Sequence, residues 1–260
     1  MKKTTTILCL GIALCMLGCS DDDDQVTTTS TVPFSLTASL SPRSSDAEDT
    51  GILQGNWDAN SQLAVIKTGS SGVPKSILTR KTDSSDTFTG NLSTLVKNEN
   101  EIAVFYPAAA ITANSSDTLT QTLNLSGQDG TLAGITNYDY LWAQCKAGMN
   151  ETTGSSACEM TSLVTIGKFQ FTVNGGSPLN NITRITITAT AGTLYSSAVM
   201  KLKNGEFSST QTGNITIKNK AGISGTTYIS FFPSEAQLHF TLVTTCLLYT
   251  SPSPRDMRRS

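Results

Sequence analysis

Val32-Pro33-Phe34-Ser35-Leu36-Thr37-Ala38-Ser39-Leu40 alternates apolar and polar residues along its length. Successive side chains of a strand point to opposite faces, so Phe34, Leu36, Ala38 and Leu40 share one side. The stretch reads as a β-strand with one buried face. It runs into Ser41-Pro42-Arg43-Ser44-Ser45-Asp46-Ala47-Glu48-Asp49, an exposed acidic loop. Similar short patterns recur at 62–67 and 87–92. Glu101-Ile102-Ala103-Val104-Phe105-Tyr106 is a strand of the buried type, stopped by Pro107. Residues 117–125 place Leu119, Leu123 and Leu125 on one face, and 138–143 form a short aromatic strand. Residues 163–173 read as one long strand or two, and 178–181 as a turn. The β-branched run 182–188 and the stretches 194–203, 213–218, 227–232 and 238–244 complete the set. No long stretch has helical periodicity. Many short strands separated by Gly, Asn and Ser turns argue an all-β sandwich. Two sandwiches fit the length better than one, because a seven-strand sandwich needs only about 100 residues.

Composition agrees. Of 260 residues, 40 are Thr and 31 are Ser, while charged residues make up 15%. Thr favours strands and Ser favours turns. Hydrophobic residues at 38% supply a core. A formal net charge of −2 gives no electrostatic footprint for nucleic acid. A single histidine leaves little material for His-based catalysis or a multi-His metal site.

The ends carry other signals. Met1-Lys2-Lys3 precedes an apolar run at 7–17, too short to span a bilayer and of signal-peptide length. Met16-Leu17-Gly18-Cys19 resembles a bacterial lipobox, which implies lipidation of Cys19 after removal of residues 1–18. Asp21 to Asp24 repel one another and stay solvated as a spacer. An acidic run at this place also resembles the surface-export signal of Bacteroides-type lipoproteins. Residues 19–31 are then a lipidated acidic tether. At the other end, Cys246-Leu247-Leu248-Tyr249-Thr250-Ser251-Pro252-Ser253-Pro254-Arg255-Asp256 resembles a translated transposase adapter from DNA library preparation. On that reading residues 246–260 are a non-native artefact tail.

Chemistry-bearing motifs are scarce. No Gly-x-Ser-x-Gly elbow, phosphate loop or His-Glu-x-x-His motif occurs, so no catalytic residue, metal or cofactor is expected. His239 lies in a strand pattern and reads as a strand residue. Asp83, Asp86 and Asp129 sit in Ser/Gly loops, as solvated charge or calcium ligands. Trp57 and Trp142 are either sugar-stacking platforms or half-buried core. Cys145 and Cys158 form an isolated pair with twelve residues between them, and 146–157 reads as a loop rich in Gly, Ser and Thr. In an exported chain they are a possible disulfide, worth roughly 3 kcal/mol on the chain-entropy model, or two free thiols.

Several features then line up in order. They are the lipobox with its acidic run, the strand 32–40 followed by Arg43, and Gly55-Asn56-Trp57-Asp58 before Leu63-Ala64-Val65-Ile66. Val104-Phe105-Tyr106-Pro107, Asp139-Tyr140-Leu141-Trp142-Ala143 and Phe169-Gln170-Phe171-Thr172-Val173 come next. The ordered set resembles the fimbrillin family, the Bacteroides-type (type V) pilins and their accessory lipoproteins. One departure is Asn60-Ser61-Gln62, where that family usually has a Gly-Asp turn. The resemblance implies two transthyretin-like β-sandwich domains, an N-terminal one over 32–160 and a truncated C-terminal one over 161–245. It also implies a non-enzymatic role at the cell surface, as an outer-membrane lipoprotein or in a fimbrium. An arginine-specific protease would cut after Arg43, the lone Lys or Arg between Cys19 and Lys67. A strand from the next subunit would then fill the vacated groove, making other fimbrial subunits the partners in a head-to-tail polymer. The alternatives are a strand that is never removed, as in an anchor or tip subunit, a glycan-binding lipoprotein with exposed Trp57 or Trp142, and a lectin-fold hydrolase.

Overall fold

The computed structural model describes residues 30–42, 51–69, 72–83, 86–112, 120–173, 176–223 and 225–245. Cys19, Arg43 and residues 246–260 lie outside them. Among the described residues no helix is long and apolar enough to cross a membrane. The chain is an all-β sandwich protein.

The first half supplies β1 (Thr31–Leu40), β2 (Gln62–Lys67), β3 (Ser76–Arg80), β4 (Thr87–Ser93), β5 (Glu101–Tyr106) and β6 (Thr120–Asn124). Next come the one-turn helix α1 (Leu132–Ile135) and the strands β7 (Leu141–Lys146), β8 (Gly148–Met149) and β9 (Gly154–Ser162). The rest consists of β10 (Thr165–Gln170), β11 (Ile182–Ala191), β12 (Tyr195–Lys201), β13 (Phe207–Thr212), β14 (Ile215–Ile223), β15 (Thr226–Phe231) and β16 (Gln237–Thr244).

The largest sheet has the order β1-β4-β3-β2-β5-β7-β9-β8, and β1 also pairs with β9. Seven of its strands therefore close into a ring, with β8 appended. Phe34, Leu36 and Ala38 point into the ring with Leu63, Val65, Leu78, Phe88, Ile102 and Val104. Three smaller sheets complete the fold, with orders β10-β15, β14-β11-β16 and β13-β12-β6. Ile185, Ile187, Ile215, Ile217, Ile229 and Phe232 lie in a second core.

The two cores share a wall. Along β2, Leu63 and Val65 face the first core while Ala64 and Ile66 face the second. Along β5, Ile102, Val104 and Tyr106 face the first and Phe105 the second. Strands covered on both faces need near-continuous apolar sequence, and Ile102 to Tyr106 has it. β6 belongs to the second group of sheets by hydrogen bonding, with Leu123 opposite Ala198 of β12. Residues 120–124 thus sit before α1 in the chain but pack with strands from beyond β9.

The link after β6 is pinned by buried polar contacts. Gln128 is 1% exposed. Its amide nitrogen donates to the Leu125 and Ser230 carbonyls at 3.0 and 3.2 Å, and its oxygen accepts from the Ser230 N–H at 2.7 Å. Gln128→Leu would leave the Ser230 N–H buried without its acceptor. The expected loss is about 1–3 kcal/mol in a urea unfolding titration.

Candidate strand-insertion site

β1 occupies a slot with a backbone ladder on each side. It runs antiparallel to β4 from Thr31↔Ser93 to Thr37↔Thr87. It runs parallel to β9 from Phe34↔Gly154 to Leu40↔Met160. Val32, Phe34, Leu36 and Ala38 are buried, while Thr31, Pro33, Thr37 and Ser39 are exposed. This is the face expected from the sequence, with Val32 added and Leu40 half-buried at the end. Pro33 has no N–H to give a ladder and sits one residue before the parallel pairing begins. Burial of Val32, Phe34 and Leu36 is worth about 1.5–3 kcal/mol each.

Particular side chains hold the strand. The Trp57 indole N–H donates to the Ala38 carbonyl at 2.6 Å. Trp57 is 3% exposed and packs edge-on against Phe88 and Tyr106, with ring centroids 5.0 and 5.2 Å away. The Tyr106 phenol is pushed up to about 12 by burial, helped by the charges of Asp58 and Asp139. It stays protonated and neutral in this apolar wall at any ordinary pH. The Ser39 hydroxyl donates to the Cys158 carbonyl at 3.3 Å, and that of Ser41 to a Glu159 carboxylate oxygen at 2.9 Å.

Both ends of the slot open into clefts. One of about 300 Å³ is lined by Val32, Val96, Met149 and Glu151 at the start of β1. Another of about 310 Å³ is lined by Leu40, Leu141, Glu159 and Met160 at its end. Ser41 and Pro42 leave the slot exposed to solvent.

Gly154 makes room for the first inward aromatic. A Cβ built on it would stand 2.6 Å from the Phe34 ring and would also strike the Met149 sulfur. Gly154→Val is therefore expected to lift Phe34 out of its seat. The cost is about 1–3 kcal/mol of overpacking, and faster amide exchange should centre on residues 34–40.

The other residues singled out by sequence have separate roles. Trp142 is half-buried and donates to the Leu202 carbonyl at 2.9 Å, beneath the Gly205 turn. Trp57 is fully buried, so the exposed sugar platform expected of a glycan-binding lipoprotein is corrected at Trp57 by its packing. The Asp129 carboxylate accepts from the Thr131 N–H and hydroxyl at 2.9 and 2.8 Å, and so orders the start of α1. His239 lies on β16 opposite Thr188 and is exposed. Asp83 is exposed and Asp86 half-buried. Among the described residues no three His, Cys, Asp or Glu side chains are grouped to hold a metal.

Cys145 and Cys158 come together. They carry no bond to each other here. The Ser156 hydroxyl lies 3.2 Å from the Cys145 sulfur, and the Cys158 thiol lies 3.9 Å from the Met160 sulfur. Sequence reading treats 146–157 as a loop, whereas residues 154–162 form β9, the parallel partner of β1. Gly154-Ser155-Ser156-Ala157 has neither bulk nor strong strand propensity. It is a strand because β1 and β8 offer ladders to it.

No protein-family model matches the chain, nor does any curated protein sequence. Solved structures do match. A candidate cell adhesion protein from Bacteroides uniformis superposes with a TM-score of 0.52 at 14% identity, covering 82% of this chain and 80% of its own. A second candidate cell adhesion protein, from Bacteroides ovatus, gives a TM-score of 0.49 at 14% identity over 82% of this chain and 86% of its own. A fimbrial assembly protein from Parabacteroides distasonis gives 0.42 at 11% identity over 84% and 83%. The likeness to the Bacteroides uniformis protein shows a shared fold.

Proposed function

We propose that the chain is a cell-surface adhesive or fimbrial subunit in which β1 is an exchangeable strand. It is exported as a lipoprotein through Cys19, cut after Arg43, and assembled head to tail as another subunit's strand enters the slot. Its partners are other fimbrial subunits and, before the cut, the outer membrane that holds the lipid. Residues 32–160 and 161–245 are its two sandwich units, with 120–124 lent to the second.

One observation carries this reading. β1 is hydrogen-bonded on both sides, ends in a cleft, and continues into exposed Ser41 and Pro42 just before Arg43. A single cut there would free the strand from the body of the chain. Its departure would uncover two rows of unpaired N–H and C=O groups and an apolar trench. An incoming strand pairs those rows, and alternate side chains refill the seats of Phe34, Leu36 and Ala38. A head-to-tail contact that does not close produces a filament. The cell adhesion description of the Bacteroides uniformis protein supports a surface role.

The test treats the purified precursor with an arginine-specific protease. A new N-terminus at Ser44 together with an SDS-resistant ladder is the expected result. A monomer that resists the protease would overturn strand exchange and favour a non-polymerising anchor, tip or glycan-binding lipoprotein.

A further inference from the structure

We propose that Cys145 of β7 and Cys158 of β9 form a cross-strand disulfide that keeps β9 on the ring when β1 is absent. The bond stands on its own geometry. Its role in the empty slot rests on the strand-exchange reading above.

The geometry begins with a break in the ladder. β9 pairs with β8 at Gly154 and Ser155, and with β7 at Thr161 and Ser162. Between those points, among the described residues, 156–160 has no ladder partner on the β7 side. Its ladder there is the one to β1, with Cys158 opposite Ala38. Loss of β1 would leave that segment without a backbone partner on either side.

The two cysteines stand in this gap. Leu141 lies opposite Ser162 and Trp142 opposite Thr161. Each further step along β7 is one step back along β9, so the register continued places Cys145 opposite Cys158. Directly opposed residues of an antiparallel pair hold their Cα atoms about 4.5–5.5 Å apart, inside the span that a disulfide bridges. Both side chains are half-buried against the first core. The Ser156 hydroxyl is 3.2 Å from the Cys145 sulfur and donates to the Lys146 carbonyl at 2.7 Å, so it also spans the gap.

The chemistry has a ready nucleophile. The neighbouring Cys158 thiol draws Cys145 below the usual thiol range, against the effect of burial. The Cys158 thiol is pushed up by its closeness to Cys145 and by its own burial. The Cys145 thiolate attacks the disulfide of an oxidoreductase and forms a mixed disulfide, releasing one thiolate. Cys158 then loses its proton, attacks the Cys145 sulfur, and releases the second. The S–S bond forms at the expense of two S–H bonds, and the oxidoreductase leaves as a dithiol holding both electrons and both protons.

The experiment uses the full chain exported to an oxidising compartment and alkylated without reduction. Trypsin cuts after Lys97, Lys146 and Lys168, so Cys145 and Cys158 fall in different peptides with one cysteine each. The expected result is one linked species, two hydrogen masses lighter than the separate peptides together, that disappears on reduction. Two separately alkylated peptides would overturn the bond. The role is read next by hydrogen exchange after arginine-specific cleavage. Residues 156–160 are expected to exchange at least about tenfold more slowly in the oxidised protein than in the Cys145→Ser, Cys158→Ser double variant. Equal rates would overturn the role and leave the bond standing. A chain that keeps β1 under the protease would sink the strand-exchange reading and the role with it, while the linked peptide would still establish the bond.

Discussion

Trp57→Ala is expected to cost about 3–5 kcal/mol of unfolding free energy, the range for truncating a buried tryptophan. For a chain of this size that corresponds to a fall in Tm of roughly 6–20 °C. Two losses combine. The Phe88 and Tyr106 rings lose their edge-on partner, and the Ala38 carbonyl of β1 loses the indole N–H. Trp57→Phe separates them, because it keeps much of the ring packing and removes the hydrogen bond. Its expected cost is about 1–3 kcal/mol, with faster exchange centred on β1. A sugar-stacking tryptophan would behave in the opposite way, and its alanine variant would melt like the parent and lose carbohydrate binding. Thermal melts of the parent and both variants decide between these outcomes.

Phe105→Ala is expected to lose a similar amount, about 3–5 kcal/mol. Its ring lies in the second core, while its neighbours Val104 and Tyr106 line the first. A cavity at Phe105 therefore weakens the wall both cores lean on. Parent and variant are each expected to unfold in a single transition by circular dichroism and by tryptophan fluorescence, with both probes shifted together. Independent units would instead split the fluorescence change, with Trp142 on the second core melting early and Trp57 of the first core unchanged.

What could be read from the sequence depended on whether the signal was local. The period-2 alternation of residues 32–40 displays its buried face without help from the rest of the chain, and the structure places that face inward. The unbroken apolar run at 102–106 likewise announced a strand covered on both sides. β9 had no comparable signal, because Gly154, Ser155, Ser156 and Ala157 carry little side chain. Its strand character comes from β1, more than a hundred residues earlier, in a parallel pairing that leaves no trace in local spacing. The closed ring was hidden for the same reason. The aromatic stretch 138–143 predicts a strand that in the structure begins three residues later, at Leu141. Tyr138 and Tyr140 precede β7, and the Tyr140 hydroxyl donates to the Asn124 carbonyl at 2.7 Å. The pair Cys145 and Cys158 was legible by spacing. That the pair sits where the β7 ladder breaks was not, because it depends on where the neighbouring strands stop.

The double-sided pairing of β1 also has a mechanical consequence. A pull that enters at Thr31, the end of the strand, and runs along the strand axis is parallel to both of its ladders. Tension parallel to a ladder strains all of its hydrogen bonds together, whereas tension across it opens them one after another. β1 has seven paired positions on each flank, one flank antiparallel and the other parallel. A tug on that end is thus met in shear by both neighbours at once, the loading geometry in which a short strand resists extraction best.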